Sequence, residues 1–235
     1  GYRAGGVNQH PRLDAQNRPY NPEHLLNFEV GYRTISARST TSLTVFHAMR
    51  SDQQVSLSSQ QDPGDPNSFF YFTANAAGGR VSGIEVERSY LIAPSLRIST
   101  AMGLLRTHVD AYTSSTADSL GNRAAAHAPH NTRRYAVDYA GKGGLFAGLE
   151  YTSTDRFYHS DSHDQQADAH RLVHGRLGYR HGPYTVAIWG RNLLDKRYTV
   201  RGFFFGLAPP DYTETLYKSY GEPRQLGLSL SAAFQ

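Results

Sequence analysis

A strict two-residue alternation at the C-terminus constrains this chain more than any other feature. Residues 221–235 read GEPRQLGLSLSAAFQ, which is a turn signal followed by an alternating segment. Two sets of side chains fall on opposite faces, one apolar and one small or polar: Leu226, Leu228, Leu230, Ala232 and Phe234, against Gln225, Gly227, Ser229, Ser231 and Ala233. Because successive side chains of a strand point to opposite sides, the segment is predicted as a strand with one apolar face. That face must meet either a protein core or lipid.

The same alternation recurs along most of the chain, and it predicts about nine or ten strands and no convincing helix. The predicted strands before the last one are Leu25–Arg38, Ser42–Leu57, Phe69–Phe72, Val81–Ile92, Leu96–Leu104, Tyr135–Tyr139, Leu145–Tyr151, Val173–Tyr179 and Tyr184–Ile188. The fold class indicated is all-β.

The connections between these strands alternate in length. Short ones fall near Ser39, Pro94, Gly143 and Gly182, and long ones begin at Val7, Ser58, Thr113, Ser160 and Asn192. One end of the sheet is therefore predicted to carry tight turns and the other end long loops. This asymmetry is typical of outer-membrane barrels, which have short periplasmic turns and long external loops.

Composition excludes several classes of protein. The chain has 235 residues, a mean hydropathy of −0.54 and no apolar run near ~18 residues, which excludes a transmembrane helix but not transmembrane strands. It has no cysteine, so disulfides, thiolate nucleophiles and cysteine-ligated zinc are excluded. The net charge of +4 is spread along the chain, so we expect no nucleic-acid partner. The opening GYRAGG lacks the apolar core of a signal peptide, so an exported protein of this sequence is expected to be a mature or truncated product.

Aromatic residues near strand ends indicate an interfacial girdle. They are Tyr32, Tyr90, Tyr139, Tyr151, Tyr179, Tyr184 and Phe234. A soluble β-sandwich or a lipocalin-like barrel would also show alternating strands. Strands longer than the usual ~5–6 residues, together with the long loops, favour a transmembrane barrel.

Several segments, in this order, resemble the TonB-dependent outer-membrane receptor family. They are GYRAGG (1–6), RPYNPEHLLNFEVGYR (18–33), GIEVE (83–87), GRNLLDKRY (190–198) and a last strand ending AAF (232–234). The resemblance runs over essentially the whole chain. It implies an antiparallel transmembrane β-barrel of the bacterial outer membrane that imports scarce ligands with energy relayed from the inner membrane.

The chain departs from the family in its length and at its ends. Such barrels have about 22 strands of ~9–11 residues each, which alone would need roughly 220 residues. We therefore expect residues 1–235 to be the C-terminal barrel region of a larger receptor, without the N-terminal plug, the TonB-contacting segment and the first barrel strands. The last residue is Gln235, whereas the family usually ends on an aromatic residue.

Candidate ligand-binding residues lie on two predicted outer loops. Phe203, Phe204, Phe205 and Tyr212 offer contiguous aromatic surface for an aromatic siderophore. His159 and His163 belong to HSDSHDQQADAH (159–170), whose imidazoles and carboxylates suit transition metals. A solvated polar loop is the simpler interpretation, since no zinc-type ligand spacing appears, and no metal site or cofactor is predicted.

Further residues are singled out by the family segment and by the strand faces. Asn192, Leu193, Asp195 and Tyr198 match the family's Asn-Leu-x-Asp-x-x-Tyr pattern, and Phe234 matches its aromatic end. The first four are expected to serve the strand-to-loop transition. Glu85 and Glu87 lie on the polar side of their strand and are candidates for the lumen. No Gly-x-Ser-x-Gly elbow or phosphate loop appears, so no catalytic residue is predicted.

The sequence thus predicts an outer-membrane active-transport receptor for a ferric siderophore or similar iron complex, and not an enzyme. Its expected partners are outer-membrane lipid, the TonB complex through the N-terminal region, the iron complex and the barrel-assembly machinery. Two alternatives stay open, an outer-membrane barrel enzyme of lipase or protease type and a soluble β-sandwich binding module. The identity of the ligand and the oligomeric state do not follow from the sequence.

Overall fold

The protein is all-β in the computed structural model, which describes residues 1–62, 65, 68–75, 78–113, 119–161, 163–206 and 208–233. The strands in chain order are β1 (Tyr2–Arg3), β2 (Gly6–Val7), β3 (Pro19–Tyr20), β4 (Glu23–Ile35), β5 (Ser39–Ser51), β6 (Gln54–Gln60), β7 (Phe69–Asn75), β8 (Gly78–Ala93), β9 (Leu96–Val109), β10 (Tyr112–Thr113), β11 (Ser119–Leu120), β12 (Asn131–Ala140), β13 (Leu145–Thr154), β14 (Phe157–Tyr158), β15 (Gln166–Ala167), β16 (His170–His181), β17 (Tyr184–Arg191), β18 (Thr199–Phe205), β19 (Thr215–Tyr220) and β20 (Gln225–Ala232). One 3₁₀ turn covers Ala15–Asn17. Among the residues described, no helix is long and apolar enough to cross a membrane.

Ten of these strands form one antiparallel sheet in the order β1-β4-β5-β8-β9-β12-β13-β16-β17-β20. The all-β fold class is therefore confirmed. The sheet also has the predicted nine or ten strands, although it includes β1, while the predicted strand Phe69–Phe72 lies in β7, outside the sheet. In the described part of the chain, β20 pairs with β17 along one edge only, over the register Tyr184↔Ala232 to Arg191↔Gln225. The last strand therefore forms an open edge of the sheet.

Short and long connections alternate along the sheet. The tight turns lie between β4 and β5, β8 and β9, β12 and β13, and β16 and β17. At the opposite end, which we call the loop end, the longer connections carry five small antiparallel hairpins: β2–β3, β6–β7, β10–β11, β14–β15 and β18–β19.

One predicted strand was wrong. Ser42–Leu57 was expected to be continuous, but the sheet strand covers Ser39–Ser51 and the segment Gln54–Gln60 pairs with β7 in a loop hairpin. Asp52 separates the two because its φ of 52° lies in the left-handed region, which a continuous strand does not tolerate. The expected polar break at Ser39–Thr41 lies earlier, at residues 36–38.

The outer face of the sheet is apolar and exposed. Opposed residues of neighbouring strands lie on the same face, so the register fixes rows such as Val30–Val45–Ile84–Leu104. Val30 is 76% exposed and Leu230 on the last strand is 74% exposed. No second sheet covers this face within the described residues, contrary to the soluble sandwich alternative.

Tyrosines mark the turn end of this apolar face. Tyr32, Tyr90, Tyr139, Tyr179 and Tyr184 all share it by register, and each lies close to a tight turn. Tyr151 differs, because it pairs with Tyr135 nearer the loop end. Phe234 lies outside the described residues.

The buried core of the molecule lies among the loops. Its members come from three different connections and from the loop end of β9: Leu13, Val55, Leu57, Phe72, Val109 and Tyr112. Asn8 ties two of these connections together, since its side chain donates to the Thr73 carbonyl at 2.7 Å and accepts from the Thr73 amide at 2.8 Å. These three loops therefore pack together around one buried cluster.

Candidate ligand-capture surface at the loop end

The hairpin β14–β15 packs against the hairpin β18–β19 through His159. This histidine is only 3% exposed. Its ring lies against Gly202, where a Cβ atom would collide with it, and it meets the ring of Phe157 edge-on at 5.9 Å. Neither ring nitrogen has a hydrogen-bond partner. Burial lowers the pKa of His159 first, and His127, His163 and Lys218 lower it further by charge repulsion.

His163 joins the same contact. Its ring centroid lies 5.9 Å from that of Phe204, and its Nδ1 accepts the amide proton of Gln165 at 3.3 Å. Burial again is the main cause that lowers the pKa of His163, while a hydrogen bond to the Gly202 backbone opposes it. The structure thus brings together three of the predicted site residues, His159, His163 and Phe204.

Arg123 connects this contact to the preceding loop, although nothing in its sequence context predicts this role. Its Nη2 donates to the carbonyls of Ser160 at 2.8 Å and His163 at 3.0 Å. Its Nε lies 3.0 Å from Asp164 Oδ1, and its guanidinium covers the ring of Tyr158. Because an isolated arginine on a polar loop carries no sequence signal, only the packing of the two loops reveals this role.

The three consecutive phenylalanines do not act as one surface. They lie on β18, whose alternation turns Phe204 towards His163 and leaves Phe203 and Phe205 on the opposite face. Phe205 packs on Tyr217 at 5.1 Å, and the guanidinium of Arg201 lies 5.7 Å from the ring of Phe203. Phe203 itself is 50% exposed. We call Arg201, Phe203, Phe205 and Tyr217 the aromatic face.

The remaining loop candidates are dispersed. Tyr212 is exposed in the connection between β18 and β19, with a φ of 45°. His170, the last residue of the HSDSHDQQADAH segment, stacks on the ring of Tyr198, with 4.5 Å between the ring centroids. Across the described residues, no three His, Asp or Glu side chains lie close enough together to hold a metal ion.

Asn192 of the family segment is a buried turn residue. It is 2% exposed and has a φ of 47°, a conformation that asparagine tolerates better than most residues. Its Nδ2 donates to the carbonyls of Lys196 at 2.9 Å and Glu222 at 3.0 Å, and its Oδ1 accepts from the Lys196 amide at 2.9 Å. These bonds join the end of β17 to the approach to β20.

The other residues of the family segment also contact the protein around the last loop. The amide of Leu193 donates to the Val173 carbonyl at 2.8 Å. The Asp195 carboxylate accepts from the Arg224 amide at 3.0 Å. The ring of Tyr198 fills the space beside Gly221, where no Cβ would fit. In this geometry the four residues hold the last loop on the sheet and do not point to a ligand.

The inner face of the sheet is polar. Arg134 donates from Nε and Nη2 to Glu150 Oε2 at 2.9 and 2.5 Å, and Arg176 pairs with Asp138 at 2.9 Å. These side chains, with Trp189, line a groove of about 820 Å³. Glu85 and Glu87 line a neighbouring groove with Arg134, which places the predicted lumen residues on the same polar face as these ion pairs.

A single sheet with an exposed apolar outer face, a charged inner face, tight turns at one end and packed loops at the other defines the wall of an outer-membrane β-barrel. The chain belongs to the TonB dependent receptor-like β-barrel family, whose model matches residues 1–193. It is therefore a bacterial outer-membrane protein of a family of receptors and not of enzymes.

Solved structures of similar fold include siderophore receptors and also the copper transporter OprC. The ferric yersiniabactin uptake receptor FyuA from Yersinia pestis has a TM-score of 0.78 and 21% identity, and the match covers 100% of this chain and 34% of FyuA. The siderophore receptor PiuA from Acinetobacter baumannii has a TM-score of 0.68 and 17% identity, and the match covers 94% of this chain and 30% of PiuA. The ferric-catecholate import receptor Fiu from Escherichia coli K12 has a TM-score of 0.66 and 15% identity, and the match covers 97% of this chain and 30% of Fiu. The chain spans about a third of these receptors' length.

Proposed function

We propose that this chain is the C-terminal barrel region of an outer-membrane receptor that takes up a ferric siderophore or a similar iron complex. Membership of the family and similarity in fold to three siderophore receptors support this assignment. Further strands would pair with the open edge at β20 and complete the barrel. An N-terminal plug and its TonB contact would supply energy coupling, and the barrel-assembly machinery would insert the chain into lipid.

The class of ligand is inferred from the aromatic face. It places two phenylalanine rings and a tyrosine at the loop end, where a ligand arriving from outside meets the protein first. Arg201 beside Phe203 adds a positive charge that attracts an anionic iron complex. Aromatic surface next to a cation suits a ferric complex whose chelating groups are themselves aromatic and anionic.

Uptake of radioactive iron tests this function. A strain lacking the gene, complemented with the full-length protein, is supplied with ⁵⁵Fe bound to catecholate, phenolate, hydroxamate or citrate chelators. We expect energy-dependent uptake of one aromatic chelator above the level of the deletion strain. Equal uptake of every complex with and without the gene would contradict the proposal.

A further inference from the structure

Two histidines of one loop contact the same glycine of the β18–β19 hairpin. The ring of His159 occupies the space beside Gly202, with its Nε2 atom 3.0 Å from the position that a Cβ atom would take. The ring of His163 is hydrogen bonded to the backbone of Gly202. Gly202 is buried, and the register of the hairpin pairs it with Lys218. We call His159, His163 and Gly202 the histidine clasp.

The contacts of the clasp require neutral imidazoles. Both ring nitrogens of His159 are buried without a hydrogen-bond partner among the residues described. A proton added to this ring would bring a full charge and a second N–H group to a place where nothing accepts them. In His163, Nδ1 accepts the amide proton of Gln165 at 3.3 Å. Protonation of that nitrogen would remove the bond, because an imidazolium has no acceptor.

The neighbouring elements present positive charge to His159. His127, from the connection between β11 and β12, contacts the same Phe157 ring as His159 does. Lys218 belongs to β19, on the other side of the contact. Both groups, together with His163, repel a proton on His159. Protonation would therefore set cations of three different elements against one another.

The nearby carboxylates of the loop have other partners. Asp164 favours a proton on His163, but its carboxylate is paired with Arg123 at 3.0 Å. The charge of Arg123 in turn repels that proton. Asp161 accepts the amide proton of Ala126 at 3.0 Å. Neither carboxylate is hydrogen bonded to a ring of the clasp in the part of the chain that the structure describes.

The clasp supports the hairpin that carries the aromatic face. Strands β18 and β19 form a sheet of their own, and an isolated pair of strands is only marginally stable in water. Alternation along β18 turns Gly202 and Phe204 towards the clasp, while Arg201 and Phe203 lie on the aromatic face. Loss of the contact on one side would therefore loosen the arrangement of the side chains on the other.

We propose that the histidine clasp is an acid-sensitive contact, and that protonation of His159 and His163 undocks the β18–β19 hairpin and weakens ligand binding by the aromatic face. The effect on a ligand rests on the proposed function. The pKa of each histidine is lowered while the hairpin is docked, whereas both titrate near 6.5 once it is open. The open state therefore binds more protons. Docking is complete above about pH 6.5 and is lost as the pH falls through the lowered values.

A distance between the two hairpins tests the clasp without a ligand. Arg156 and Glu214 are exposed, so cysteines at these two positions of a full-length protein otherwise free of cysteine can carry nitroxide labels. Double electron–electron resonance in detergent micelles should give a narrow distance distribution at pH 7.5. At pH 5 we expect a longer or broader distribution. The same distribution at both pH values would overturn the proposal.

Matched variants separate titration from packing. His159→Phe fills the same space without taking up a proton, so it should keep most of the narrow distribution at pH 5. Lys218→Gln removes a cation that opposes protonation of His159 and should move the opening to lower pH; it remains informative if H159F does not dock at pH 7.5. The control His130→Phe alters an exposed histidine bonded to the Leu105 carbonyl and should open like the wild type. Opening at the wild-type pH in both H159F and K218Q would rule out the clasp as the titrating site.

Binding of iron complexes tests the link to the aromatic face. A ferric catecholate and a ferric phenolate complex are titrated onto the wild type and H159F at both pH values. The ratio of the two affinities cancels the effect of pH on the complex itself. We expect equal affinities at pH 7.5 and about tenfold weaker binding by the wild type at pH 5, which corresponds to roughly nine hairpins in ten being undocked. A ratio that does not change with pH would overturn the link.

The two measurements distinguish failure of the clasp from failure of the proposed function. A wild-type protein that binds neither complex at pH 7.5 would contradict the aromatic class of ligand, and the distances, which need no ligand, would still decide whether acid opens the clasp.

Discussion

The guanidinium of Arg123 lies over the ring of Tyr158, with 4.1 Å between its central carbon and the ring centroid. The two residues belong to consecutive long loops, so this contact joins segments that the sheet itself keeps separate. The same guanidinium bonds two carbonyls and one carboxylate of the second loop. Its side chain is 12% exposed, so water cannot replace these partners easily.

Replacement of Arg123 by alanine should loosen the second loop without unfolding the sheet. Loss of these charge-assisted bonds is expected to lower the free energy of local opening by about 2 kcal/mol. Hydrogen exchange of the amides in residues 158–167 measures the change. Arg156→Ala, an exposed arginine of the same loop, is the control and should exchange like the wild type. Equal protection in R123A and wild type would contradict the role of Arg123.

The packing of His159 should depend on pH. Burial lowers its pKa in the folded loop, while the opened loop has the ordinary value near 6.5. The open state therefore binds more protons, and the stability of the loop is complete above about pH 6.5 and falls as the pH drops below it. We expect faster amide exchange around residues 157–167 at pH 5 than at pH 7.5, after correction for the intrinsic rate.

A phenylalanine at position 159 separates titration from packing. His159→Phe fills the same space but carries no proton, so the pH dependence of exchange should decrease, with a residual part from His163, whose pKa is also lowered. His130→Phe alters an exposed histidine elsewhere at the loop end and should leave the dependence unchanged. A variant H159F with the full wild-type dependence would show that His159 is not the titrating group.

Phe203 and Phe204 should behave differently although they are adjacent. Phe203→Ala removes part of the aromatic face and is expected to weaken ligand binding about tenfold, as for an aromatic anchor in an interface. Phe204→Ala should instead speed amide exchange in the β14–β15 hairpin, because Phe204 packs on His163. Uptake of ⁵⁵Fe and hydrogen exchange measure the two effects. Tyr71→Ala, at an exposed aromatic of another hairpin, is the control for uptake.

Asn192 should matter for stability more than for ligand binding. Asn192→Ala leaves two carbonyls and one amide without partners and places alanine at a positive φ, which together should lower the free energy of unfolding by about 2–4 kcal/mol. Asn192→Gly loses the same bonds but tolerates the backbone conformation. We therefore expect Asn192→Gly to destabilise the protein less than Asn192→Ala. Urea unfolding of the protein folded in detergent measures the difference. Identical midpoints for N192A and wild type would contradict this account.

The sheet could be predicted from the sequence because its signal is local. Alternation at Leu226, Leu228 and Leu230 fixes a face within a few residues, and the length of each connection fixes the end of the sheet to which it belongs. The confinement of the strand carboxylates to one face was also present in the alternation, since Glu85 and Glu87 alternate with Ile84 and Val86 along β8. It needed the register of all ten strands to become visible.

The packing of the loops could not be predicted in the same way. The contacts of Arg123 and Asn8 join residues far apart in sequence, and polar loop segments carry no periodic pattern that predicts them. The break at Asp52 depends on a left-handed backbone conformation at a residue type that is also common in ordinary turns. The split of Phe203, Phe204 and Phe205 between two faces is different, because it follows directly from alternation once their loop segment is assigned as a strand.

Accessibility along the last strand tests the central claim that the outer face of the sheet meets lipid. The chain contains no cysteine, so single cysteines at positions 225, 226, 228, 229, 230 and 231 can carry a nitroxide label in the full-length protein reconstituted in phospholipid vesicles. Oxygen should relax the labels at 226, 228 and 230 most strongly, and a water-soluble nickel chelate those at 225, 229 and 231. Strong relaxation by the nickel chelate at all six positions, or protection of 226, 228 and 230 from both reagents, would contradict the account.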